Sequence, residues 1–109
     1  MKIGQLYLDG GTWRGRRIVS AEWVKATTTP HFRMSPLLRY GSLWWMIEYP
    51  YQGKRVQAFF ASGNGGNEVM AIPALDLVVA VYGANYNESA GWAMVKELVP
   101  RYILAAIER

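Results

Sequence analysis

Apolar positions change their period twice along this chain. Ile3, Leu6 and Tyr7 fall on one side of a short helix over residues 2–8, which Gly10-Gly11 brings to a stop. A turn-rich stretch follows over 13–19, with Gly15 at its middle. Ser20 then has the character of an N-cap, because its hydroxyl can accept an orphan N–H of the first turn. Glu22 suits the positive end of the same helix. Trp23 and Val24 open the buried side of this second helix, and Pro30 ends the region. Residues 31–39, with His31, Arg33, Pro36 and Arg39, read as a loop.

From Tyr40 the helical spacing gives way to aromatic and β-branched runs. Strands are expected over 43–47, 56–61, 69–72 and 77–82. Gln52-Gly53-Lys54, a tight glycine turn over 62–66, and Pro73 with Leu75-Asp76 separate them. Connections this short join antiparallel neighbours, since a parallel pair needs a long crossover. Leu77-Val78-Val79-Ala80-Val81 hardly alternates, which predicts cover on both faces. The tail over 89–109 returns to steps of three and four. Trp92, Val95, Val99, Tyr102, Ile103 and Ala106 make one apolar stripe, and Pro100 inside it predicts a kink or a split. The expected fold is α+β: one domain over 1–109, built on an antiparallel sheet of three to four strands with flanking helices.

Composition narrows the chemistry. With 109 residues, 51% hydrophobic and 18% charged, the chain can bury a core and is not disordered by composition. The absence of cysteine excludes a disulfide scaffold, a thiol nucleophile and a thiolate metal site. A single histidine, His31, excludes a two-histidine metal motif and makes any Ser-His-Asp triad depend on one residue, which itself reads as a loop residue. Twelve basic and 8 acidic residues leave a net charge of +4. The one dense basic cluster, Arg14, Arg16 and Arg17, reads as a solvated turn, so no nucleic-acid partner is expected. No apolar run is long enough to span a bilayer, and residues 1–5 lack the pattern of a signal peptide.

One stretch carries candidate chemistry: Phe59-Phe60-Ala61-Ser62-Gly63-Asn64-Gly65-Gly66-Asn67. A strand here runs into glycines that admit close approach of a ligand, and backbone N–H groups can form an oxyanion hole. The competing reading is a plain hairpin turn whose glycines only supply positive φ. Tyr40-Gly41-Ser42-Leu43-Trp44-Trp45 reads either as a tyrosine base or pocket wall, or as aromatic core packing. Glu68 and Asp76 are isolated in sequence, and nothing pairs two carboxylates for acid/base work.

Taken in order, several pieces form a pattern: 2–11 (KIGQLYLDGG), 13–20 (WRGRRIVS), Trp23-Val24, Tyr40-Gly41, Trp44-Trp45, Ala61-Ser62-Gly63-Asn64-Gly65-Gly66, Ile72-Pro73, Leu75-Asp76-Leu77-Val78-Val79 and Asn85-Tyr86. The chain resembles the C-terminal part of the β-lactamase-related serine hydrolases. The likeness is to the branch of class C β-lactamase-like esterases and 6-aminohexanoate-dimer hydrolase, and it covers nearly the whole chain. That family uses a serine in S-x-x-K as nucleophile, a tyrosine for proton transfer, and a strand with K-T-G or H-x-G beside the substrate. Ser20, Ser35, Ser42, Ser62 and Ser89 are followed three places on by Trp23, Leu38, Trp45, Gly65 and Trp92, so none is the nucleophile. Tyr40 sits where the family has a strand, and no catalytic role is carried onto it. Ala61-Ser62-Gly63 falls on the K-T-G position, with Ala61 in place of the lysine or histidine.

The resemblance therefore implies one wall of an active site, formed by Ser62, Gly63, Asn64, Gly65 and Gly66, with Asn64 offering a backbone N–H to the oxyanion. It implies no catalytic residue in this chain, no metal and no organic cofactor. It further implies a missing N-terminal part of the same hydrolase that brings the serine, and acyl transfer from a small amide or ester in the intact protein. A homodimer is expected, burying 78–82 and 92–107. The competing reading is a free-standing binding module whose five Trp and seven Tyr make a sugar- or peptide-binding surface.

Overall fold

A computed structural model describes residues 2–30, 32–33, 38–42, 44–63, 67–84 and 94–107. Helix α1 (Lys2–Leu8) leads into a small ribbon of β1 (Thr12–Trp13) and β2 (Arg16–Arg17), then helix α2 (Ala21–Thr27). Six strands follow: β3 (Phe32–Arg33), β4 (Leu38–Tyr40), β5 (Trp45–Tyr51), β6 (Lys54–Gly63), β7 (Asn67–Ile72) and β8 (Leu77–Val81). They form one antiparallel sheet in the order β3-β4-β5-β6-β7-β8. The fold is α+β. Among the described residues no helix is long and apolar enough to cross a membrane.

The local signals for the first half act as expected, with shifts of face. Ser20 caps α2 by accepting from the Trp23 N–H at 3.1 Å. Val24 and Thr27 are buried in α2, while Trp23 is 55% exposed. In α1 the inward residue is Gly4, set against Val69 and Val78, and Ile3 is left 55% exposed. Glycine at that point lets the helix lie close on the sheet. The β5–β6 hairpin turns through Gln52-Gly53 with φ of 49° and 74°, and β1–β2 turns through Arg14-Gly15 with φ of 51° and 80°. Positive φ at both central residues gives the turn that matches strand twist.

The sheet has six strands where three to four were expected. The four predicted strands are β5 to β8. The other two lie in the stretch read as a loop: Leu38, Arg39 and Tyr40 pair with Ile47, Met46 and Trp45, and β3 pairs with β4 outside them. Strands of two and three residues near a sheet edge tolerate arginine and neighbouring proline, so they leave little pattern to read.

Both sheet faces are packed. On one, Ile47, Tyr49, Val56, Ala58, Phe60, Met70 and Ile72 meet Val95, Val99 and Leu104 of the C-terminal helix. On the other, Trp44, Met46, Phe59 and Ala71 pack with Tyr7 and Leu8 of α1. Phe59 and Phe60 are consequently both buried although they point to opposite faces. Strand β8 touches both clusters, through Val78 on one side and Leu77, Val79 and Val81 on the other. All five of its residues stay half-buried, because β8 ends the sheet and its cover is incomplete.

The C-terminal helix keeps part of the predicted stripe: Val95 and Val99 are buried and Ile103 packs against the same cluster, while Tyr102 and Ala106 leave it. Over Met94–Ile103 it is a wide π-helix, tightening to α geometry over Leu104–Ile107. Val95, Val99 and Leu104, in steps of four and five, face the sheet, whereas Tyr102 is 63% exposed and Ala106 also faces solvent. The physical reason is the ladder. A π-helix bonds each N–H to the carbonyl five residues back, so steps of four and five keep the inward face and the step of three from Val99 to Tyr102 loses it. Pro100 lies inside this helix and has no N–H. The carbonyl it would have served is that of Val95, and the buried Tyr49 hydroxyl donates to it at 2.6 Å. Trp92 lies outside the described residues.

Candidate functional site

The candidate segment divides. Ser62 and Gly63 are the last residues of β6, paired with Glu68 and Asn67 of β7. They are extended, so the expectation of a turn beginning at Ser62 is corrected. Positive φ is expected at Gly63 or Gly66; Gly63 does not have it, and Gly66 lies outside the described residues. Register decides this: with Phe60 opposite Met70, the ladder continues in step to the Gly63–Asn67 pair. Asn64, Gly65, Gly66 and His31 lie outside the described residues.

Alternation along β6 sends neighbouring side chains to opposite faces. Ser62 shares the face of Phe60, which packs with the C-terminal helix. Its hydroxyl donates to Glu68 Oε1 at 3.3 Å. Glu68 is 3% exposed, and its second oxygen, Oε2, is buried without a hydrogen-bond partner among the described residues. Burial pushes the Glu68 carboxyl above its ordinary value, and the bond from Ser62 offsets part of that rise. Tyr49 is on the same face. Burial, with the Glu68 charge adding, holds its hydroxyl well above the usual phenol range, so it serves as a donor. Beyond Glu68, the Asn67 Oδ1 accepts from the Gly83 N–H at 3.2 Å and ties β7 to the end of β8.

Ala61 and Gly63 belong to the other face. Ala61 packs beside the Trp44–Phe59 cluster, and Gly63 is exposed at the strand end. A Cβ at Gly63 would meet nothing nearer than the Asn67 carbonyl oxygen at 3.6 Å, an ordinary contact. Gly41 is the opposite case: a Cβ there would lie 2.4 Å from the Thr27 carbonyl oxygen and 2.6 Å from Met46 Cε. Packing therefore demands glycine at 41 and does not demand it at 63. A groove of about 280 Å³ opens farther along the Gly63 face, lined by Thr28, Gln57, Phe59, Pro73 and Ala74.

The other candidates are packing residues. Tyr40 and Trp45 meet edge to face at 4.9 Å, and Trp44 sits between Tyr7 at 4.9 Å and Phe59 at 5.1 Å. Trp44 is buried, so the 40–45 stretch contributes aromatic core rather than a pocket wall. Asp76 is the left-handed cap of the turn after Pro73–Leu75. The residue that sequence reading passed over is Glu68. Its signal was present: it stands two places before Met70 and four before Ile72, so an inward-facing alternation through them includes it. Among the described residues no three acidic or histidine side chains converge on a metal site.

Compared with known proteins, the chain matches no protein-family model, and no curated protein matches it.

Proposed function

We propose that this chain carries the substrate-side wall of a β-lactamase-related serine hydrolase acting on a small amide or ester. In this reading Ala61-Ser62-Gly63 takes the K-T-G position. Backbone N–H groups from Gly63 through Asn64, Gly65 and Gly66 border the substrate, and the S-x-x-K serine comes from an N-terminal part of the same hydrolase. The observation that carries the reading is Gly63. Extended glycine weakens a strand, and neither φ nor crowding requires it here. Close approach of a ligand to the backbone is a reason to keep it. Ser62 contributes main chain only, since its hydroxyl is engaged with Glu68 on the far face.

The chain alone is expected to show no turnover of p-nitrophenyl esters or β-lactams above background. A fluorophosphonate probe followed by mass spectrometry should leave Ser62 unmodified, and a phosphonyl adduct there, formed with loss of fluoride, overturns the assignment. The source gene supplies the second arm. An S-x-x-K encoded in frame on the 5′ side supports the hydrolase, and a 5′ reading without one removes it.

Association belongs to the same proposal. The outer edge of β8 has no neighbouring strand among the described residues. Beside it, Tyr82 is 81% exposed, and Leu98, Tyr102 and Ile107 of the C-terminal helix are also exposed. Unpaired strand edges and apolar patches recruit a second copy. Val95, Val99 and Leu104 are already covered within the chain, which narrows the helix side of such a dimer to those three exposed residues. Light scattering at micromolar concentration is expected to give twice the chain mass of 12.3 kDa, and a monodisperse single-chain mass refutes the dimer.

A further inference from the structure

Residues 2–19 build a surface that the hydrolase reading does not use. Lys2, Ile3 and Leu6 of α1, Trp13 of β1 and Ile18 just after β2 line an open groove of about 360 Å³. Ile3 and Ile18 are 55% and 60% exposed, so the floor of the groove is apolar and wet. Its rim is cationic. The Arg14 guanidinium lies over the Trp13 ring at 5.7 Å. Arg16 is the direct partner of Trp13 across the ribbon, which sets it on the same face as the groove. Arg17 points elsewhere, donating to the Gly10 and Val19 carbonyls. Lys2, Arg14 and Arg16 meet no carboxylate among the described residues. The one acid of this segment, Asp9, is held by Gln5 at 3.0 Å.

We propose that this groove docks an acidic amphipathic helix from a partner protein. Apolar side chains on one face of the helix would cover Ile3, Leu6, Trp13 and Ile18, and flanking carboxylates would face Lys2, Arg14 and Arg16. Helix-in-groove recognition has this form, with apolar anchors for affinity and rim charges for orientation and on-rate. An apolar floor is poorly suited to a nucleic-acid backbone, which seeks charge without it. A second copy of this chain does not fit, because its eight acids are spread singly along a chain of net charge +4.

The test uses a fluorescein-labelled synthetic helix with leucines at positions i, i+3, i+4 and i+7 and glutamates on its flanks. The controls are a scrambled peptide of the same composition and a duplex DNA of equal charge. Fluorescence anisotropy is expected to show saturable binding of the amphipathic peptide at least tenfold tighter than of the scramble, weakening as salt is raised. Lys2→Glu/Arg16→Glu and, separately, Ile18→Asp should each weaken binding at least tenfold. All three sites are exposed, and circular dichroism reports whether each variant keeps its fold. Amide NMR shifts on titration should concentrate in residues 2–19. Equal binding of scramble and amphipath overturns the proposal, as does binding unmoved by Ile18→Asp, DNA binding tighter than peptide binding, or shifts centred elsewhere.

Discussion

Replacing Tyr49 with phenylalanine is expected to lower the melting temperature by roughly 10 °C, from a loss of about 2 kcal/mol. The ring keeps its place among Ile47, Phe60, Met70 and Val95, so little packing is lost. What is lost is the hydroxyl that donates to the Val95 carbonyl at 2.6 Å. That carbonyl has no donor from its own helix five residues on, because residue 100 is proline. A buried carbonyl that loses this donor carries part of its desolvation cost uncompensated. Pro100→Ala restores an N–H to the helix and should make the Tyr49 hydroxyl partly dispensable. The Tyr49→Phe/Pro100→Ala pair is therefore expected to lose less than the sum of the single changes. Thermal melts followed by circular dichroism measure all four proteins, and strict additivity breaks the link between the tyrosine and the proline.

The second large effect concerns Glu68 and depends on pH. Its folded-state pKa is raised above the ordinary value of 4.5 by burial. A carboxyl shifted in this direction costs nothing while both folded and unfolded forms are protonated. Stability then falls as pH rises from the ordinary value through the folded one, since ionisation is easier in the unfolded chain. Once ionised in the folded protein, Glu68 is a carboxylate whose Oε2 has no hydrogen-bond partner among the described residues. Glu68→Gln removes that charge while keeping an oxygen for the Ser62 hydroxyl. It should stabilise the protein at pH 8 by about 1–3 kcal/mol. Near pH 4 the two proteins should melt together or the variant slightly lower. The quantity to follow is the difference in melting temperature between variant and wild type across pH 4 to 8. It should climb with pH, and a flat difference means the buried carboxyl does not titrate in this way.

How far the fold could be read from residues alone depended on whether the deciding force was local. Ser20 at the head of α2 was legible because a cap is a bond between a side chain and an amide three residues away. Strands β5 to β8 were legible because runs such as 77–81 end in turn residues. The pair β3 and β4 was not, since two- and three-residue strands with arginines acquire their identity only from pairing with β5. The inward face of the C-terminal helix is legible at Val95, Val99 and Ile103 but not at Tyr102 and Ala106. The stripe through Tyr102 and Ala106 assumed α spacing, and the π ladder around Pro100 rotates those two residues into solvent. At the candidate site, Ala61, Ser62 and Gly63 were identified by order and type, but not their division between two faces. A one-residue slip in register would exchange Ser62 with Gly63, and only the observed pairing with Glu68 and Asn67 decides it.

The strand order of the sheet is also its chain order, with no strand passing over another. This has a consequence for how the molecule is assembled in time. Each strand finds its partner in the segment just before it, so the entropy of closing long loops is largely avoided. The sheet can grow one hairpin at a time, starting at the two-residue Gln52-Gly53 turn, whose partners Tyr51 and Lys54 are already adjacent. Such local topology places the chain toward the fast end of antiparallel proteins. The distant contacts come from the ends of the chain: α1 against β7 and β8, and Tyr49 reaching Val95 across 46 residues. Refolding should accordingly show β-sheet signal before the C-terminal helix docks. The late step is the one that engages Tyr49 with the Val95 carbonyl.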